Sequence, residues 1–170
     1  MINYGKQSVD ESDFEAIKKV LEGDWLTQGP FVDQFESELK SYFNSGSACV
    51  VSSGTAALHL SGIALGWCKN DIVVTSPITF LATANSIVYS GATPDFVDID
   101  RDSYTIDVNK LEDKIKFHQS NQKHVKAIIG VDFAGHPCDW KSLRYLADKY
   151  DLKLINDNCH ALGSSINKNK

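Results

Sequence analysis

The sequence predicts a three-layer α/β/α domain built on a mostly parallel sheet. Three observations carry that prediction. From residue 47 onward, short apolar runs alternate with stretches of helical character. The runs are continuously apolar rather than alternating, as in strands buried on both faces of a parallel sheet. And no repeat, linker or low-complexity tract interrupts the order, so strand–helix–strand crossovers can stack into one layered unit.

Taken in order, the first quarter reads as two helices. Ser12-Asp13-Phe14-Glu15 has capping-box spacing, the apolar Ile17, Val20 and Leu21 follow, and Gly23 is a good stop. Pro30 suits the first turn of a second helix, whose Phe31, Phe35, Leu39 and Phe43 recur at helical spacing. Between them Asp24–Gly29 is a loop carrying Trp25 and Leu26. Such a loop either covers core or touches a ligand or partner. Five strands are then expected at Ala48–Val51, Ile72–Thr75, Asp95–Val97, Ala127–Val131 and Leu152–Ile155. Helices are expected near 55–65, 80–90, 108–117 and 140–150, with polar Lys116–Lys126 as a surface loop. The last strand leads into a polar tail with no closing helix behind it.

Composition narrows the function classes. A chain of 170 residues, 42% hydrophobic and 23% charged, is long enough for a real core. A net charge of -5 with scattered Lys and Arg argues against a nucleic-acid surface. No apolar run approaches the ~20 residues of a membrane helix, and Met1–Gln7 has no signal core. A cytoplasmic enzyme with no membrane partner fits. The 4 cysteines, at 49, 68, 138 and 159, form no CxxC pair and read as buried free thiols. His59, His118, His124 and His136 have no metal-site spacing and read as structural or solvated.

Three separated stretches carry chemistry. Gly54-Thr55 follows an expected strand and opens a helix, where free N–H groups and the helix dipole suit a phosphate. An ordinary helix start capped by Ser53 or Thr55 is the alternative. Phe80 lies just past the next strand, at the sheet edge where α/β proteins bind ligands. Its ring could stack on a heteroaromatic cofactor or simply pack in the core. Asp157 ends the last strand at the same edge, suited to a protonated pyridine nitrogen or to a turn. His160, three residues on, could bond a ring substituent. A phosphate cradle, a flat aromatic and a carboxylate at one sheet edge are what pyridoxal phosphate (PLP) requires.

These stretches also resemble a known family. Trp25–Gly29, Ser53–Leu58, Thr79–Asn85, Ser90–Pro94 and Asp157 with His160–Gly163 are similar, in order, to motifs of the DegT/DnrJ/EryC1/StrS sugar aminotransferases. The resemblance implies the N-terminal part of the PLP-dependent transferase (aspartate aminotransferase, type I) large domain. It places Gly54 and Thr55 on the cofactor phosphate, Phe80 over the ring, Asp157 on the pyridine nitrogen and His160 on the phenolic oxygen. Tyr4, Asp24, Trp25, Leu26, Thr27 and Gly54 would line the sugar side. Residues 1–46 become an N-terminal helical segment on the interface and substrate side, and 47–170 an incomplete PLP-binding large domain. Family members often have Glu before the aspartate, where Asn156 stands here.

Within the family, the match at Leu26–Gly29, Thr75–Phe80, Val131–Gly135 and His160–Ser164 points toward members of pseudaminic acid synthesis. These aminate a UDP-linked 4-keto-6-deoxy-N-acetylhexosamine with glutamate as donor, work as homodimers, and serve surface polysaccharide and flagellin glycosylation. The resemblance also implies a Schiff-base lysine shortly after the third stretch, and no lysine here stands in that context. The chain is therefore expected to be truncated and inactive alone. A PLP-dependent sugar dehydratase of the same family, or a non-catalytic α/β binding module, stays open.

Overall fold

The computed structural model describes residues 6–165. The chain divides into two compact units, Met1–Val50 and Val51–Lys170.

In the first unit, α1 spans Glu11–Leu21 and α2 spans Pro30–Tyr42. The α1 capping box lies two residues earlier than the sequence suggested. Asp10 accepts from Ser12 N–H at 2.8 Å, and Asp13 accepts from Asp10 N–H at 2.9 Å. Both carboxylates sit at the positive end of the helix, so they satisfy N–H groups and the dipole together. Pro30 opens α2, as its spacing predicts. Residues 48–51 form no strand among the described residues. The Val50 N–H goes instead to the Glu36 carboxylate at 2.8 Å. The apolar run had the composition of a strand but finds no ladder partner among the described residues.

The second unit is the layered domain. Its sheet is β1 (Asp71–Thr75), β2 (Thr93–Phe96), β3 (His124–Val131) and β4 (Lys153–Asp157). The order is β2-β1-β3-β4, all parallel. Helices α4 (Leu81–Tyr89), α5 (Val108–Ser120) and α6 (Trp140–Tyr150) make the crossovers, and α3 (Gly54–Ala64) precedes β1. Pro94, which cannot donate to a ladder, is tolerated because β2 is an edge strand.

Side chains alternate between two cores. On one face Ile72, Val74, Ile128 and Leu143 pack with Leu111 and Ile115 of α5. On the other, Val73, Ala127 and Ile129 pack with Ile87 of α4 and with Trp67. β1 is buried along its whole length, which explains its unbroken apolar run. Gly62 lets α3 approach closely: a Cβ there would collide with Ser90 and the Trp67 ring.

Two further expectations are corrected. Lys116–Ser120 is helix, not loop, since α5 runs on to Ser120 and β3 begins at His124. His118 explains the extension, being buried on α5 and bonded to Asp95 of β2 at 2.7 Å. Of the cysteines only Cys138 is buried, while Cys49, Cys68 and Cys159 are exposed.

Candidate functional site

The chain leaves β1 to one side for β2, then crosses back over β1 to β3. Ligands of such sheets bind beyond the carboxyl ends of the strands at that reversal. The three chemistry-bearing stretches meet at this edge.

Asp157 ends β4 with its side chain on the α3–α4 face and is 5% exposed. Its Oδ2 accepts from the Thr83 hydroxyl of α4 at 2.7 Å. That ties the third stretch to the second across 74 residues. The Thr83 N–H in turn bonds the Phe80 carbonyl at 3.0 Å. Phe80 caps the start of α4 in an extended conformation and contributes no side-chain hydrogen bond. Its ring is 71% exposed, which removes the core alternative and leaves a flat apolar face free at the strand ends.

The first stretch touches the third through Cys159. A Cβ on Gly54 would lie 3.0 Å from the Cys159 Sγ, so glycine permits this close approach. Ser53 caps α3 by accepting from Ala56 N–H at 3.2 Å, and Ala57 N–H bonds the Ser53 carbonyl. The N–H groups of Gly54 and Thr55 have no hydrogen-bond partner among the described residues. Two free donors at a helix start, with the exposed Thr55 hydroxyl beside them, make an anion cradle. The Ser53 cap and the cradle coexist, since the cap uses the third N–H only.

His160 is exposed beside the 3-10 turn at Phe133–Gly135, its ring 6.4 Å from that of Phe133. The Cys159 thiol is pushed up to about 11, first by its hydrogen bond with Asp157 and then by burial. A thiol so suppressed is not a nucleophile at neutral pH. Asp24, Trp25, Leu26 and Thr27 lie exposed in the α1–α2 loop of the first unit. Tyr4 lies outside the described residues.

Three contributors escape a reading of the sequence. Thr79 and Thr83 share a 2.7 Å hydrogen bond one helical turn apart at the start of α4. The one available signal was their i, i+4 spacing. Asp132, 4% exposed, accepts from Cys138 N–H at 2.9 Å and Trp140 Nε1 at 3.0 Å, and so fixes the loop after β3. Its own N–H bonds the Asp157 carbonyl at 3.2 Å.

A cleft of about 900 Å³ in this unit lies elsewhere. It is lined by Asn156, Asn158, Asp132 and Trp140, on the α5–α6 face, while Asp157 turns to the opposite face. The free N–H pair, the exposed ring and the buried carboxylate lie on the other face, joined through Thr83 and Cys159. No cluster of His, Cys, Asp or Glu suited to a metal exists among the described residues. No described helix is long and apolar enough to cross a membrane.

Comparison with known proteins bears on the site. The profile of the DegT/DnrJ/EryC1/StrS aminotransferase family matches residues 7–170. The UDP-4-amino-4,6-dideoxy-N-acetyl-beta-L-altrosamine transaminase of Campylobacter jejuni (serotype O:23/36) is 44% identical over 164 residues, 96% of this chain and 42% of that protein. Helicobacter pylori PseC, an aminotransferase involved in the biosynthesis of pseudoaminic acid, superposes with a TM-score of 0.86 at 34% identity. That match covers 99% of this chain and 44% of PseC. A GDP-4-keto-6-deoxymannose-3-dehydratase with trapped PLP-glutamate superposes at 0.88 and 27% identity, over 99% of this chain and 44% of the enzyme. The chain thus spans less than half the length of the relatives it matches.

Proposed function

Since the chain belongs to the DegT/DnrJ/EryC1/StrS aminotransferase family, whose cofactor is PLP, we propose that its site serves transfer of an amino group to a keto sugar. The observation that carries this is the buried Asp157 carboxylate, held beside a free helix N-terminus and the exposed Phe80 ring. The residues fit the cofactor. Gly54 and Thr55 would take the phosphate, Phe80 the ring face, Asp157 the pyridine nitrogen and His160 the phenolic oxygen.

When bound, PLP supplies an electron sink for charge developing on the substrate carbon. Everything else falls to the protein. Gly54 and Thr55 would anchor the anionic end through the two N–H groups that the helix start leaves free. Phe80 would exclude water from one ring face. Asp157 would keep the ring nitrogen protonated, since a carboxylate already removed from solvent pairs strongly with a cation and is screened little. His160 donates or accepts at the ring oxygen.

The substrate we infer is a UDP-linked 4-keto-6-deoxy-N-acetylhexosamine, with glutamate as donor. The 44% identity to the altrosamine transaminase supports it. Asp24, Trp25, Leu26 and Thr27, with Tyr4, would contribute to the sugar side. The lysine that bonds the cofactor would lie in the remainder of the full-length protein. A homodimer is supported by α3 and α4, which present Leu60, Ile63, Val88 and Tyr89 to solvent besides their buried faces. Helices apolar on more than one side are usually covered twice.

The test is an assay of the full-length enzyme with glutamate and the UDP-4-keto sugar, followed by mass spectrometry of the product. Formation of the 4-amino sugar supports the reading. Loss of a hydroxyl without nitrogen gain would favour the dehydratase, to which one solved relative corresponds. Absence of both reactions with PLP bound would overturn the proposed activity.

A further inference from the structure

We propose that Thr83, backed by Thr79, is the positioning residue that presents Asp157 to the cofactor; this rests on the reading of Asp157 given above. The two carboxylate oxygens of Asp157 are not alike. Oδ2 receives the Thr83 hydroxyl at 2.7 Å, a short charge-assisted bond. Oδ1 receives the Cys159 N–H at 3.4 Å, beyond the ordinary N–H···O range, and the remaining donor to the carboxylate is the Cys159 thiol, a weak one. In a residue 5% exposed, that leaves one acceptor only weakly satisfied. A buried carboxylate oxygen in that condition is costly unless another donor arrives. Thr83 therefore does more than satisfy Asp157. By occupying Oδ2 it fixes the rotation of the carboxylate and leaves Oδ1 as the acceptor for the ring nitrogen.

The direction of the bonds follows from the inventory of protons. An ionised carboxylate only accepts, so the single hydroxyl proton of Thr83 is committed to Asp157. The 2.7 Å bond between Thr79 and Thr83 must then run from Thr79 to Thr83. Both bonds point toward the carboxylate, and each polarises the next. A threonine on a helix commonly bonds back to a carbonyl of its own helix. Thr83 instead reaches across to another element, with 0% of its surface exposed. Because Thr83 N–H also holds the Phe80 carbonyl, the turn bearing the stacking ring and the carboxylate move as one body.

The experiment uses full-length enzyme loaded with PLP labelled with ¹⁵N in its ring. The ring-nitrogen resonance reports protonation independently of turnover. Thr83→Val keeps the shape and removes the proton; Thr83→Ser keeps the proton. The Val variant should shift the resonance toward neutral pyridine and lower kcat about tenfold, with KM changed less than about twofold. The Ser variant should restore both. Thr79→Val should shift the resonance in the same direction by less, and it answers the question if Thr83→Val does not fold. An unmoved resonance in the folded Thr83→Val enzyme, or in Thr79→Val where that is the variant available, overturns the proposal. Asp157→Asn is the reference. If it too leaves the resonance unmoved, the assignment of Asp157 itself fails, and the role of Thr83 with it.

Discussion

At the scale of single residues, exposure and hydrogen bonding separate roles that residue type leaves mixed. Asp157 sits beneath the surface with one oxygen spoken for, whereas Phe80 stands 71% in solvent. Asp157→Asn in the full-length enzyme should therefore retain PLP through its phosphate contacts and lose turnover by roughly 10²-fold or more. Measured retention by absorbance and kcat in parallel will show it; near-normal turnover would remove the carboxylate from the ring nitrogen. Phe80→Ala should weaken PLP binding by about 1–2 kcal/mol from lost stacking and burial. Its unfolding free energy should move by less than about 0.5 kcal/mol, because so exposed a ring contributes little to the core. A calorimetric melt beside a cofactor titration distinguishes the two. The pairing of Gly54, Phe80 and Asp157 at one edge was legible in the sequence. Thr83 was not, because a hydroxyl's partner 74 residues away leaves no local pattern.

At the scale of elements, the helices were legible and their ends less so. α3, α4 and α6 lie where apolar spacing and caps put them, within a residue or two of expectation. The end of α5 was missed because its last polar turn is held by a tertiary bond. Burial by itself would raise the Asp95 carboxyl, but His118, the Phe96 N–H and Lys114 outweigh it and hold the group below its ordinary 3.8. The sign follows: the contribution is present above the unfolded pKa of about 4 and is lost as pH falls through the lower folded value. Asp95→Asn should flatten that acid limb, as urea midpoints taken between about pH 2 and 6 will show. An unchanged slope would mean that β2 does not depend on this pair. The loop after β3 depends on Asp132 instead. Asp132→Ala strips partners from one buried and one half-buried donor and should cost about 2–4 kcal/mol, read as a lowered urea midpoint with an unchanged slope. The run at 48–51 shows the converse limit, since strand composition cannot supply a neighbouring strand.

For the molecule as a whole, the fold class was legible because periodicity and alternation agree over more than a hundred residues. The number of strands was not, because pairing is a property of two segments at once. No hydrogen bond or ion pair among the described residues joins a lysine to Gly54, Phe80, Thr83 or Asp157. Treated with PLP and then borohydride, the 170-residue chain should give modification scattered over several lysines. Peptide mass spectrometry finding one fully modified lysine would contradict that.

The reversal of strand order around β1 also dictates the tempo of assembly. β1 pairs with β2 after a short crossover, but its other neighbour, β3, begins 53 residues further along the chain. Closing that larger loop costs entropy before any contact repays it, so the central pairing is the slow step. During synthesis β1, α4 and β2 emerge first, and β1 then carries Ile72 and Val74 on an open face until β3 and α5 arrive. At an elongation rate of ~5–20 residues per second, that exposure lasts on the order of several seconds. The strand that gives the finished sheet its driest centre is, for those seconds, the stretch of nascent chain most in need of a chaperone.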